Sequence, residues 1–130
     1  MTLIDTNVIS ELMRQSPASK VISWISKQDQ LALSVITLEE LHFGLTRQSL
    51  HLKKQWLDSF ISAQCLILPV NQQIACIAGT LRGELAREGI TRHQADLLIA
   101  ATAIHHQISL ATRNTKDFTR CGLKIINPFL

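Results

Sequence analysis

Four acids fall where short apolar runs of this chain begin or end. Asp5 closes Thr2-Leu3-Ile4, Glu40 comes just after Leu31 to Val35, and Asp117 lies beyond Ile108 to Thr112. Asp96 opens the most apolar stretch, and is the only charged residue between His93 and Ile104. Two carboxylates about 5 Å apart repel by roughly 3 kcal/mol at an effective dielectric near 20, so a fold that gathers several needs a cation to offset the repulsion. Oxygen-only ligands from Asp and Glu suit Mg²⁺ or Mn²⁺ rather than zinc. A pocket of this kind polarises a phosphate and activates water, which is the chemistry of phosphodiester hydrolysis. Each acid also has a plainer role open to it. Asp5 could be a turn residue or helix cap, Asp117 could cap a short turn, and Asp96 could complement a helix dipole. Thr37-x-x-Glu40 has the form of a capping box, whose Glu bonds its own helix. Asp96 resists the plain role best, because a carboxylate in a buried helix requires a hydrogen-bond set, a partner or a metal.

The elements that must carry these acids follow from hydrophobic periodicity. Thr2 to Asp5 reads as a strand, followed by a helix from Asn7 to about Arg14 with Asn7 as its N-cap. Ser16-Pro17 resembles an N-cap with proline at the first helical position, opening a helix with Ala18, Val21, Ile22 and Ile25 on one face. Leu31 to Val35 is a second strand. Helices over Thr37 to Thr46 and Ser49 to Ala63 follow, then a strand over Cys65 to Val70. Asn71 to Glu88 is a long helix that Gly89 is placed to stop. His93 to His106 is a nearly apolar helix, and Ile108 to Thr112 and Leu123 to Ile126 supply two further strands. Short apolar strands alternating with helices imply a parallel sheet covered on both faces, an α/β/α sandwich. Ligands of such sheets bind beyond the carboxyl ends of the strands, where the acids fall.

Composition narrows the field. The chain has 130 residues, 46% hydrophobic and 18% charged, which suits one globular domain over residues 1–130 and neither disorder nor a fibre. No apolar stretch approaches the roughly 20 residues that span a bilayer, and no basic region followed by an apolar run marks a secretory signal. Cys65, Cys76 and Cys121 lack close spacing and read as reduced packing residues, so the expected compartment is the cytoplasm, with no membrane association. A formal charge of +3 favours an anionic partner such as nucleic acid.

Four segments together resemble the PIN-domain ribonucleases: Leu3-Ile4-Asp5-Thr6-Asn7-Val8-Ile9-Ser10-Glu11; Ser34 to Leu41 with Gly44 three residues on; Asp96 to Ala103; and Thr112-Arg113-Asn114-Thr115-Lys116-Asp117-Phe118. Asn127-Pro128-Phe129 is similar to the tail of VapC and FitB type toxins. The resemblance implies a PIN-like sandwich with a five-stranded parallel sheet of order 3-2-1-4-5. It also implies a metal-dependent (Mg²⁺ or Mn²⁺) endoribonuclease toxin acting on RNA, a cognate antitoxin that occludes the site, contact with DNA only through that antitoxin, and homodimers. By position, Asp5, Glu40 and Asp96 match the acidic triad, with Glu39 facing solvent. Some relatives carry Asp where this chain has Asn114, which leaves Asp117 as the fourth acid. The catalytic and metal candidates are therefore Asp5, Glu40, Asp96 and Asp117. Thr6, Asn114 and Arg113 are the substrate-positioning candidates, Thr6 through its hydroxyl and Arg113 through RNA phosphate.

Two other classes compete. A phosphoacceptor signalling domain wants an Asp at the end of the third strand and a Lys at the end of the last. Those places read Leu68-Pro69-Val70-Asn71 and Ile125-Ile126-Asn127-Pro128. A PIN-fold binding module that acts on DNA through its partner is the second alternative, and the intact acids argue against it. Trp24, Leu52 and Trp56 sit off their helical stripes and are expected to help line an apolar groove for an antitoxin helix.

Overall fold

The computed structural model describes residues 1–130. In chain order the elements are β1 (Thr2–Ile4), α1 (Thr6–Leu12), α2 (Ser19–Ser26), β2 (Leu31–Ser34), α3 (Val35–Arg47) and α4 (His51–Gln64). They continue with β3 (Cys65–Leu68), α5 (Gln72–Arg87), α6 (Gln94–His106), β4 (Ser109–Ala111), a 3₁₀ turn (Thr115–Phe118) and β5 (Ile125–Ile126). The strands form one parallel sheet in the order β3-β2-β1-β4-β5, as the resemblance implies.

The two-residue alternation of the strands divides the core. Leu3 stands in register with Ala32 and Leu110, and all three face α5 and α6. Ile4, Leu31 and Leu33 point the other way, into a cluster with Val8 and Ile9 of α1, Val21 of α2, Leu41 and Leu45 of α3, and Leu57 and Phe60 of α4. Helix α6 supplies Leu97, Ile99, Ala100, Ala101 and Ala103 to the first cluster, which explains its nearly continuous apolar sequence. No helix is long and apolar enough to cross a membrane.

Three helices end on a residue in the left-handed region: Ser49 (φ 54°) after α3, Gly89 (φ 76°) after α5 and Gln107 (φ 55°) after α6. The next amide then reaches back to close each end: Leu50 to the Leu45 carbonyl at 3.0 Å, Ile90 to Leu85 at 2.9 Å and Ile108 to Ala103 at 3.0 Å. The stop at Ser49 is why α4 begins at His51 and not at Ser49. Three other expectations change. Helix α3 starts at Val35 because Ser34, not Thr37, caps it, accepting from the Ile36 amide at 3.1 Å. Helix α2 starts at Ser19, leaving Ser16-Pro17 in the connection, because the Ala18 amide is taken by the Glu11 carboxylate at 2.8 Å. Cys76 is exposed on α5, so of the three thiols only Cys121 is fully buried.

Candidate active site

Parallel register carries Ile4 alongside Ala111, so the next residues, Asp5 and Thr112, meet just beyond the strand ends. The Thr112 hydroxyl donates to Asp5 Oδ2 at 2.7 Å, and the Asn7 side-chain amide donates to the same oxygen at 3.1 Å. The Thr6 amide donates to Asp5 Oδ1 at 2.8 Å, making Asp5 the cap of α1. Asn7 is therefore not the cap. It bridges strands instead: its Nδ2 also donates to Thr112 Oγ1 at 3.2 Å, and its Oδ1 accepts from the Arg113 amide at 2.9 Å. The Asn114 amide donates to Thr112 Oγ1 at 3.1 Å. Asp5 is 4% exposed. Loss of water raises its pKa above the usual carboxylate value, and its three hydrogen bonds oppose that rise without cancelling it.

Because α3 begins a turn earlier than its apparent capping box, Glu40 is not spent on its own helix. Its Oε1 accepts from the Thr6 hydroxyl at 2.8 Å. Thr37, the other half of that pattern, is buried with its hydroxyl unpaired. Glu39 faces solvent, as expected. Asp96 stands in the first turn of α6 and carries the largest perturbation of the group. Burial, and then the negative charges of Asp5, Asp117 and Glu40, push its carboxyl up to about 6, against a smaller opposing effect of His93. Four acids from four separate segments thus act on one another.

Asp5, Thr6, Glu40, Asp96, Arg113 and Asn114 line one open cavity of about 570 Å³, together with Asn7, Ser10, Glu11 and Arg14. Asp117 sits on the 3₁₀ turn just outside this lining, close enough to raise both Asp5 and Asp96. The donors are all oxygen, and no three acids come together tightly enough to cage one ion unaided. Oxygen donors of this kind suit a hard divalent cation better than zinc. Trp24 is half-buried beside Pro128 and Leu130, whereas Leu52 and Trp56 stand on α4, with Trp56 stacked on Phe60 at 5.0 Å. The expected apolar residues thus occupy two different helices.

Sequence reasoning assigned no role to Thr112 or Glu11. Thr112 was legible in principle, since an order that puts β4 beside β1 sets the residue after one strand against the residue after the other. Glu11 gave no such signal.

The family model described as PIN domain matches residues 2–122. The chain belongs to the PIN domain family. Among PIN-family relatives it is 35% identical to a VapC ribonuclease of Sinorhizobium fredii, over 99% of this chain and 98% of that protein. It is 34% identical to toxin FitB of Neisseria gonorrhoeae, over 99% of both chains. The crystal structure of FitAcB from Neisseria gonorrhoeae superposes with a TM-score of 0.85 at 34% identity, covering 99% of each chain. DNA-bound VapBC from Salmonella typhimurium superposes at 0.88 with 26% identity, covering 98% of this chain and 97% of that one. The strand order here is thus that of the PIN fold, and the acids line the end of the sheet where ligands of open parallel sheets bind.

Proposed function

We propose that this PIN domain is the ribonuclease toxin of a toxin–antitoxin pair, hydrolysing RNA phosphodiester bonds in the cavity that Asp5, Glu40 and Asp96 line. The observation that carries the reading is Asp96, which shares one open cavity with Asp5 and Glu40 and whose carboxyl is pushed up to about 6, first by burial and then by the charges of Asp5, Asp117 and Glu40. A stability-driven fold would have paired it. Asp5 and Asp96 would hold a divalent cation, Mg²⁺ or Mn²⁺, with Glu40 and Asp117 acting through its waters. When bound, the ion supplies Lewis acidity toward phosphate and makes water more acidic.

The chain's own residues do the rest. Thr112, Asn7 and the Thr6 amide fix the Asp5 carboxylate in one orientation. The Thr6 hydroxyl turns Glu40 toward the same cavity. The Asn114 side chain offers a neutral donor and acceptor at the mouth, suited to orienting water or substrate. Arg113 offers a guanidinium to phosphate. The partner is a cognate antitoxin that covers this site. Support comes from solved relatives that are themselves complexes, FitAB and VapBC, some of them holding DNA. In this reading contact with DNA runs through the antitoxin, and the chain works as a homodimer in the cytoplasm.

Purified chain, freed of any antitoxin, is expected to cleave single-stranded RNA in Mn²⁺ or Mg²⁺ and to lose cleavage in EDTA. Asp5→Asn and Asp96→Asn should each reduce the rate by orders of magnitude while the protein stays folded. Mn²⁺ should also raise the melting temperature of the parent, since an ion that binds only the native state stabilises it by about 2.7 kcal/mol at a hundredfold excess over Kd. Full cleavage by either variant would remove these carboxylates from the reaction.

A further inference from the structure

The cavity has a second chemical character. Its lining also includes two arginines, Arg14 and Arg113, both close enough to act on Glu11. Glu11 is only 5% exposed. Its Oε2 accepts from the Ala18 amide at 2.8 Å, and its Oε1 pairs with Arg14 at 3.2 Å. Arg113 is different. None of the ion pairs of the chain includes it, and its guanidinium lies 4.7 Å from the centre of the Phe129 ring. One carboxylate therefore serves two cations, and the rim keeps a net positive charge.

We propose that Arg113 and Arg14, organised by Glu11 and by the Phe129 ring, form a phosphate-gripping rim that takes the RNA phosphate next to the one being cleaved. The proposal rests on the nuclease reading above and extends it to the substrate's backbone. The acids repel a polyanion, so binding an RNA chain here needs positive charge within a nucleotide's reach of them. Stacking on an aromatic face fixes the plane of a guanidinium and leaves its N–H edge free to donate, which suits bidentate contact with phosphate. Phe129 is thus a positioning residue that acts through Arg113. Its own place is set by the Asn127 side chain, which accepts from the Phe129 amide at 3.0 Å. Asn7 links the rim to the reaction centre: one end of its side chain holds Asp5, and the other holds the Arg113 backbone. That side chain ties the rim to the carboxylate, beside the Thr112 hydroxyl that also bonds Asp5.

The test is the affinity of a short single-stranded RNA for Asp96→Asn protein, measured by fluorescence anisotropy across a salt series. Each phosphate contact on a single strand contributes about 0.7 to the slope of log affinity against log salt. Adding Arg113→Ala should lower the slope by about 0.7 and weaken binding several-fold. Arg113→Lys should keep the slope yet weaken binding, because the charge remains and the fork is lost. Phe129→Leu should do the same, and Phe129→Trp should restore the parent's affinity. In cleaving protein, a methylphosphonate at the neighbouring linkage should raise KM more than it lowers kcat, with no added effect in Arg113→Ala. Unchanged slope and affinity in Arg113→Ala and Arg14→Ala would overturn the rim even if the parent cleaves RNA. Slopes that change as expected in a protein that never cleaves RNA would keep the rim and overturn the nuclease reading.

Discussion

Asp5 caps the start of α1 and Glu11 stands in its last turn, at 4% and 5% exposure, and their environments push them in opposite directions. Glu11 is held below its usual pKa, first by the Ala18 amide and then by Arg14 and Arg113. Asp5 is raised despite three hydrogen bonds, because burial costs it more than they return and Asp117 adds a like charge. Burial alone therefore does not tell a structural acid from a functional one. What separates them is whether the chain itself supplies the compensating positive charge. It does so at Glu11, whereas at Asp5 and Asp96 burial and like charge outweigh the contacts that oppose them.

The comparison is sharpest in stability. Glu11→Gln should lower the melting temperature by about 5 °C, on the scale of a lost charge-assisted hydrogen bond in a chain of this size. Its stabilising effect is present above pH 4.5 and lost as pH falls below that, so the variant and parent should converge in acid.

Asp96 has the opposite sign. Its carboxyl moves from 3.8 up to about 6 on folding, so between those values the native state binds more protons than the unfolded chain. Metal-free protein should then lose stability as pH rises from about 4 to about 6. Asp96→Asn should flatten that limb in a melting series, and at neutral pH it should melt slightly above the parent when metal is absent. A parent whose melting temperature climbs steadily across this window would break the contrast between the two acids.

Legibility follows the same division. The α/β/α layering and the fall of acids at one end of the sheet were readable from strand ends and apolar periodicity, which are local signals, whereas the sheet order and the triad of Asp5, Glu40 and Asp96 came from the resemblance to the PIN family. Glu40 was readable only past a false trail. Thr37-x-x-Glu40 has the form of a cap, but Ser34 starts the helix first and releases Glu40 toward Thr6. The bonds of Asn7 and Thr112 cross more than a hundred positions of chain and exist only once β1 lies beside β4, so they follow from the strand order and from no local signal. Ser16-Pro17 misled because a proline signal is weaker than the pull of a buried carboxylate on a free amide.

The smallest effect concerns Asp117. It stands outside the cavity lining but close enough to raise Asp5 and Asp96. Asp117→Asn should weaken Mn²⁺ affinity a few-fold by calorimetry and slow cleavage modestly, and adding Asn114→Asp should recover part of the loss. Unaltered affinity and turnover would reduce the site to three acids.

The hydrogen bond between Thr112 and Asp5 spans 107 positions, and that span has a consequence for biogenesis. A ribosome making this chain releases Asp5 early, while Thr112, which completes its setting, follows 107 positions later. Chains cut short by stalling or by proteolysis of nascent product would carry the first acid without Thr112 to orient it, and without Asp96 if they stop before α6. Parallel pairing of such distant segments is also slow to form. The setting of Asp5 is thus complete only once Thr112 has been made, and a product that stops short of β4 carries the acid without its orienting hydroxyl.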